Sequence, residues 1–420
     1  MELFNPYFGI IAICLILILS SVFNWVSKAF NIPSVLLLIS QGIGIKLGLD
    51  ALGVRIISHL MDVLVIIGIV GLIMIVLEAA LDLELTREKR PLIIKSFFMA
   101  FFSLGACIVF ITWILNRFLI GDLISSLIYS VPLSVVSSAI VIPSVGNLLE
   151  KNKEFLIYES TFSDILGIMV FFYLISSVTL VSASEIIMHI SINLLLTIVL
   201  SVVVGYVMVV LLEKLRSQVK LFLLISVLIL LYSLGKLFHF SSLIMILVFG
   251  LILNNSQIFF GKKMKNLLDL HSLKKVQDDF HLLTKETAFF VRTFFFVVFG
   301  MTLELCDLLD EKAALVSAII VAGIFFVRFI SLKLFRVKRL FPEVMVSPRG
   351  LITILLFFSI PLAYQRSEFN SGILLYIILI TSIIMAISLM IKGKDREFSE
   401  KLSFKDWDEL DKEIETLTRK

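Results

Sequence analysis

The sequence predicts an all-α polytopic membrane protein of about 13 transmembrane helices, and three features of the 420 residues carry that prediction. Hydrophobic residues make up 59% of the chain, mean hydropathy is +1.05, and only 17% of residues are charged, a composition that a water-soluble globule does not have. Apolar runs of spanning length recur along the whole chain. Lys and Arg collect in alternate connections between them.

In order, the runs cover residues 8–27, 33–49, 61–81, 92–117, 124–149, 155–178 and 187–212, then 220–238, 241–254, 286–305, 313–335, 344–364 and 372–391. The second and ninth are the shortest. One set of connections is basic: Arg87 to Lys95, Lys151 with Lys153, Lys214 to Lys220, Lys262 to Lys275, and Lys333 to Arg339. The opposite set is short or acidic, as at Glu304, Asp307, Asp310 and Glu311. By the positive-inside rule this places the N-terminus outside and the C-terminus in the cytoplasm, which requires an odd number of spans. A multi-pass protein of a plasma membrane, or of a bacterial inner membrane, is expected.

The N-terminus, Met-Glu-Leu-Phe-Asn-Pro, lacks the basic region and cleavage site of a secretory signal, so the first span reads as retained. Residues 1–391 form one membrane domain, and 392–420 a charged cytoplasmic tail too short for a nucleotide-binding regulatory domain. Between Asn254 and Lys285, apolar residues recur among lysines, a pattern that predicts an interfacial amphipathic helix on the inner leaflet.

Several chemistries find no support. Cys14, Cys107 and Cys306 lack metal-like spacing and read as small buried hydrophobes. The five histidines are scattered and no glycine-rich phosphate loop appears, so neither an enzyme, nor a nucleotide site, nor a bound cofactor is indicated. The formal charge of +4 follows from the inside loops and needs no nucleic-acid partner. The lipid bilayer is the partner the composition demands.

Asp164 is the most informative residue. It lies about nine residues into the sixth run, hence roughly 13 Å deep and near the middle of a ~30 Å hydrocarbon core. Ionisable groups at that depth are usually functional, and a side chain this short does not reach the headgroups. Helical geometry puts Ser160 on the same face, with Ser163 and Glu159 beside them. Hard oxygen ligands of this kind suit a small alkali cation or a proton.

The fifth run contains Pro132, Ser134, Ser137, Ser138 and Pro143, and its two prolines predict a helix broken at mid-membrane whose freed carbonyls line a cavity. The twelfth run opens with Ser347-Pro348-Arg349-Gly350 and contains Pro361. Interrupted segments at matching places in two halves point to inverted repeats with a binding site between them. Pairing spans 1–6 with 8–13 makes the fifth and twelfth equivalent and gives the halves opposite orientation, so two inverted six-helix repeats with broken, crossing helices 5 and 12 are expected.

Arg328 sits about 10 Å from the inner end of the eleventh span, at a depth similar to that of Glu159. An intramembrane arginine keeps its proton and needs a partner, which predicts an Arg328–Glu159 ion pair. Glu78 lies near the inner end of the third span. Glu78, Glu159, Asp164, Arg328 and Arg349 all fall in the cytoplasmic half, where they would line a hydrated funnel.

The segment Glu159-Ser160-Thr161-Phe162-Ser163-Asp164, with the apolar run after it, resembles the sixth-helix motif of the monovalent cation:proton antiporters, the sodium/proton exchanger superfamily. Ser137-Ser138-Ala139-Ile140-Val141 resembles that superfamily's broken fifth helix, Phe294 to Gly300 its tenth, and Arg349-Gly350 its twelfth. The resemblance implies that Asp164 alternately binds an alkali cation and a proton, with Ser160, Glu78 and the backbone of Ser138 completing the site. It also implies that Glu159 and Arg328 form a structural ion pair and that the protein is a homodimer. Two departures stand out. Ser163 occupies the position where electroneutral members usually carry Asn and electrogenic members a second Asp, and the fifth-helix Thr-Asp dipeptide of many exchangers is missing. A single essential carboxylate favours one-for-one electroneutral exchange of Na+ or K+ against H+. A channel or uniporter would use similar ligands without proton coupling.

Overall fold

The computed structural model describes residues 6–30, 34–51, 70–71, 73–83, 88–146, 148–177, 196–197, 199–207, 220–237, 242–255, 270–303, 310–337, 340–370 and 372–391. All regular structure among them is helical. In chain order the helices are α1 (Pro6–Phe30), α2 (Ser34–Ala51), α3 (73–82), α4 (Arg90–Phe118), α5 (Leu123–Ser134), α6 (Ser138–Ser144) and α7 (Glu150–Ser177). Then come α8 (199–207), α9 (Lys220–Leu237), α10 (Ser242–Asn254), α11 (Leu270–Thr302), α12 (Glu311–Leu334), α13 (Leu351–Phe358) and α14 (Gly372–Ile391). Among the described residues six helical segments are long and apolar enough to cross a membrane.

Local sequence sets several boundaries. Pro91 sits in the first turn of α4, where its missing N–H costs nothing. Asp122 caps α5 by accepting the Ser125 N–H at 3.0 Å, and Asp310 caps α12 by accepting the Lys312 N–H at 3.0 Å. The helices pack as a bundle in which α4 touches α5, α7 and α12, while α2 lies along α11. That second pairing depends on glycine. A Cβ on Gly42 would strike the Val297 carbonyl and one on Gly300 the Ile39 carbonyl, so the two backbones are in contact. Outward surfaces are apolar, with Phe98, Phe101, Val109 and Trp113 on α4 exposed as lipid-facing residues should be.

The structure refines the sequence reading in three places. Of the connection expected to hold an interfacial helix, residues 256–269 lie outside the described residues, while 270–285 are the first half of α11, which runs unbroken for 33 residues, about 50 Å. No proline interrupts that stretch, and its single glycine, Gly300, lies in the last turn. Secondly, the twelfth run is broken, as expected, and the break goes beyond a kink: residues 346–350 leave the helix, α13 spans only eight residues, and a single 3-10 turn at Leu362–Tyr364 follows Pro361. Thirdly, Cys14 is exposed on α1, whereas Cys107 is buried. Cys306, the acidic loop at 304–309, most of the 187–212 run and the tail from 392 lie outside the described residues.

Candidate functional site

The fifth run divides into α5 and α6 with Val135, Val136 and Ser137 extended between them. The prolines flank the break and do not sit in it. Pro132 lies near the end of α5 and Pro143 near the end of α6, each removing the N–H that would have bonded the carbonyl four residues back. In the second half the extended segment 346–350 meets this break directly, as the Ser137 N–H donates to the Pro348 carbonyl at 3.0 Å. The approach is close enough that a Cβ on Gly350 would lie 2.6 Å from Ile140 Cδ1 and 2.7 Å from Ser137 Oγ. Any larger residue at 350 would have to displace the Ile140 and Ser137 side chains.

Helix α7 passes this crossing and presents Asp164 to it. The Ser138 N–H, at the first turn of α6, donates to Asp164 Oδ2 at 2.9 Å, and the Val136 N–H donates to Ser163 Oγ at 3.0 Å. Asp164 is only 4% exposed, and its second oxygen, Oδ1, is buried without a hydrogen-bond partner. The Ser137 hydroxyl is likewise buried and unpartnered. Among the sequence-derived candidates, Ser137, Ser138, Ser163 and Asp164 therefore converge on one point.

Ser160 and Glu78 are placed differently. Ser160 donates its hydroxyl to the Ile157 carbonyl, 3.1 Å away in its own helix. Glu78, on α3, faces Arg292 of α11, with Nη2 at 3.4 Å from Oε1 and 3.2 Å from Oε2. The hydrogen bonds of these two residues thus run to Ile157 and Arg292 and not to Asp164.

Two buried arginines hold the surroundings. Arg328 makes a bidentate pair with Glu159, Nη1 to Oε1 at 2.7 Å and Nη2 to Oε2 at 3.0 Å, and its Nε donates to the Glu343 carbonyl at 2.9 Å. Both side chains are essentially inaccessible, so the fork geometry and the third contact are what compensate for desolvating two charges. Arg349 spans the end of α5: Nε donates to the Leu133 carbonyl at 2.8 Å, Nη2 to the Ser134 carbonyl at 3.1 Å, and Nη1 to Ser347. Its backbone N–H is fixed by Thr381 Oγ1 at 3.1 Å.

Sequence reasoning missed Arg292. It lies inside the tenth span, flanked by Phe290-Val291 and Thr293-Phe294, and the criterion that singled out Arg328 applies to it equally. The roles of Glu343 and Thr381 are positional and had no sequence signal.

Chemically, the assembly is a buried carboxylate with one oxygen oriented by a backbone amide and the other uncommitted, enclosed by hydroxyls and by helix ends whose charges are individually compensated. It has hard oxygen donors for a small cation and no groups arranged for covalent chemistry. Among the described residues no cluster of His, Cys, Asp and Glu has the makings of a transition-metal site.

Comparison with known proteins accords with this geometry. No curated protein matches the chain. The structure of the sodium proton antiporter MjNhaP1 from Methanocaldococcus jannaschii at pH 8 superposes with a TM-score of 0.67 at 17% identity, covering 93% of this chain and 97% of that one. An electron-microscopy map of the same antiporter gives 0.64 at 18% identity, covering 94% and 96%. At that identity the likeness establishes the fold. The family model for the sodium/hydrogen exchanger, transmembrane, matches residues 13–392. With its sequence matched almost end to end and its fold shared, the chain belongs to the sodium/hydrogen exchanger family of membrane cation:proton antiporters, which are transporters and not enzymes.

Proposed function

We propose that the protein exchanges a monovalent cation, Na+ or K+, for H+ one-for-one by competition at Asp164. The observation that carries this reading is the divided state of that carboxylate, with Oδ2 held by the Ser138 amide and Oδ1 buried without a partner. A buried oxygen left uncommitted costs free energy unless a ligand satisfies it, and a proton or an alkali cation does so equally well in kind. Ser137, Ser138 and Ser163 supply the nearby oxygens, and Ser160, which donates its proton to Ile157, keeps its oxygen lone pairs for a cation.

Coupling follows from the cost of burying charge. Protonated, Asp164 is neutral; with a cation bound, the pair is neutral. The bare anion crosses the occluded state only against a large desolvation penalty, so neither flux proceeds without the other. The Glu159–Arg328 pair acts as a fixed strut, and movement of one bundle against the other re-exposes the site on the opposite face. The basic loops orient the chain with its N-terminus outside and its C-terminus in the cytoplasm.

Proteoliposomes loaded with Na+ or K+ and diluted into cation-free buffer test this with a lumenal pH dye. Outward cation movement should acidify the lumen in wild type and leave Asp164→Asn vesicles unchanged. Cation efflux without a pH change would overturn the reading in favour of a uniporter.

A further inference from the structure

Lys95 lies inside the apolar run of α4, well away from the broken helices, and ion exchange makes no use of it. We propose that the cleft between the cytoplasmic ends of α4 and α7 binds the phosphate of an anionic phospholipid of the inner leaflet, held between Lys95 and Lys151. The inference does not depend on how Asp164 exchanges its ions; it assigns a lipid site to the outer surface of the bundle.

Both helices enter the bilayer from the side that the basic connections mark as cytoplasmic. They pack along each other there, and the Ser96 hydroxyl of α4 donates to the Phe155 carbonyl of α7 at 3.3 Å. Lys95 lies five residues past the start of α4, roughly 7.5 Å along its axis, so its flexible stem brings the ammonium to the level of the lipid phosphates and glycerols. The side chain is not simply extended into water. Its Nζ stands 5.9 Å from the centre of the Phe155 ring, and the residue is half-buried. Lys151, exposed in the first turn of α7, is close enough for its charge to act on Lys95.

The two ammonium groups receive no counter-charge from the acid beside them. Glu154, three residues after Lys151, is taken by Lys89 at 2.9 Å. Among the described residues neither Lys95 nor Lys151 has an ion-pair partner. Two like charges drawn together at a buried aromatic ring repel unless an anion stands between them, and a monoanionic phosphate fits that position.

The surroundings of the pair select a lipid over a free anion. Phe98 and Phe102 follow Lys95 on the same face of α4 at helical spacing, and they are 46% and 51% exposed. Phe97 meets Phe162 of α7 edge-on, with ring centroids 5.5 Å apart, and closes the cleft beneath the lysines. A cationic mouth at headgroup depth thus leads onto an aromatic track along which acyl chains lie. Because α7 also carries Asp164, the bound headgroup bridges the helix of the exchanging carboxylate to its neighbour.

The test is thermal unfolding of the purified protein in detergent, titrated with phosphatidylglycerol, phosphatidylcholine or inorganic phosphate. Phosphatidylglycerol should raise the unfolding temperature of wild type, and the other two should not. Lys95→Gln/Lys151→Gln should weaken the apparent affinity for phosphatidylglycerol about tenfold, whereas Lys95→Arg/Lys151→Arg, which keeps both charges, should hold it within about threefold. Lys262→Gln/Lys263→Gln removes the same charge from another basic connection and should leave the affinity unchanged. Undiminished affinity in Lys95→Gln/Lys151→Gln would overturn the proposal, and so would an equal loss in Lys262→Gln/Lys263→Gln, which would reduce the effect to net charge. Stabilisation by inorganic phosphate as strong as that by phosphatidylglycerol would overturn the assignment to a lipid. If Lys95→Gln/Lys151→Gln yields no folded protein, Lys151→Gln alone carries the test, since its side chain is exposed. It should weaken phosphatidylglycerol binding about threefold, and an unchanged affinity would again overturn the proposal.

Discussion

Arg349 and Leu133 lie 216 residues apart in the chain, yet the guanidinium Nε donates to the Leu133 carbonyl at 2.8 Å. The contact closes the end of a helix broken in mid-membrane. The last carbonyls of α5 have no intrahelical donors, and they carry the negative end of its dipole toward a site that holds a carboxylate. By covering Leu133 and Ser134 together, Arg349 satisfies two buried acceptors and offsets that negative end.

Arg349→Gln should therefore be strongly destabilising. It leaves at least one of these carbonyls unpaired at about 1–3 kcal/mol each, and it removes the positive charge facing the break. A lowered unfolding temperature together with reduced exchange is expected. Arg349→Lys, with a single ammonium in place of the fork, should recover only part of either loss.

Breaking the Glu159–Arg328 pair should cost about 3–5 kcal/mol when one partner is removed, since the other is left charged and buried. Glu159→Leu and Arg328→Met are each expected to unfold at markedly lower temperature in detergent. The double variant should regain most of that stability, because an apolar pair of similar volume incurs no desolvation penalty. If the double variant regains stability but transports poorly, the pair contributes geometry to the moving bundle as well as compensation of charge.

Outside the membrane-spanning segments, Asp122 links stability to pH. Hydrogen bonds from the Ser125 hydroxyl and the Ser125 N–H, with Arg366 nearby, hold its carboxyl down at about 2. A depressed value means that the carboxylate's contribution is complete above the ordinary 3.8 and is lost as pH falls through about 2. Asp122→Ala should thus unfold below wild type at neutral pH, and the gap should close between about pH 4 and pH 2. The side chain is 41% exposed, so the gap should be modest and should shrink in high salt.

How much of this was legible in sequence depended on what kind of information each feature carries. Asp164, Arg328 and Arg349 announce themselves, because a charge inside an apolar run has no cheap alternative. The break in the fifth span was legible from Pro132 and Pro143, although its position at 135–137 was not, since a proline weakens the helix around it without specifying which residue unwinds. The interruption of the twelfth span was legible from Ser347-Pro348-Arg349-Gly350 and Pro361, whereas the extent of its non-helical segment becomes intelligible only once Pro348 is seen accepting from Ser137. Partner choice was the least legible. Glu78 has the character of a ligand until α11 brings Arg292 beside it, and nothing local to either residue encodes that meeting. The continuity of α11 back to Leu270 was hidden for another reason: a polar, lysine-rich half and an apolar half of one helix look in sequence like two elements.

Proton release on cation binding tests the central claim most directly. Purified protein in detergent is titrated with Na+ or K+ by calorimetry in buffers of different ionisation enthalpy, at a pH where binding is half-maximal. Competition at Asp164 predicts heats that vary with the buffer, corresponding to up to one proton released per cation bound, and neither binding heat nor proton release in Asp164→Asn. Cation binding of undiminished affinity in Asp164→Asn, or wild-type heats independent of buffer, would contradict it.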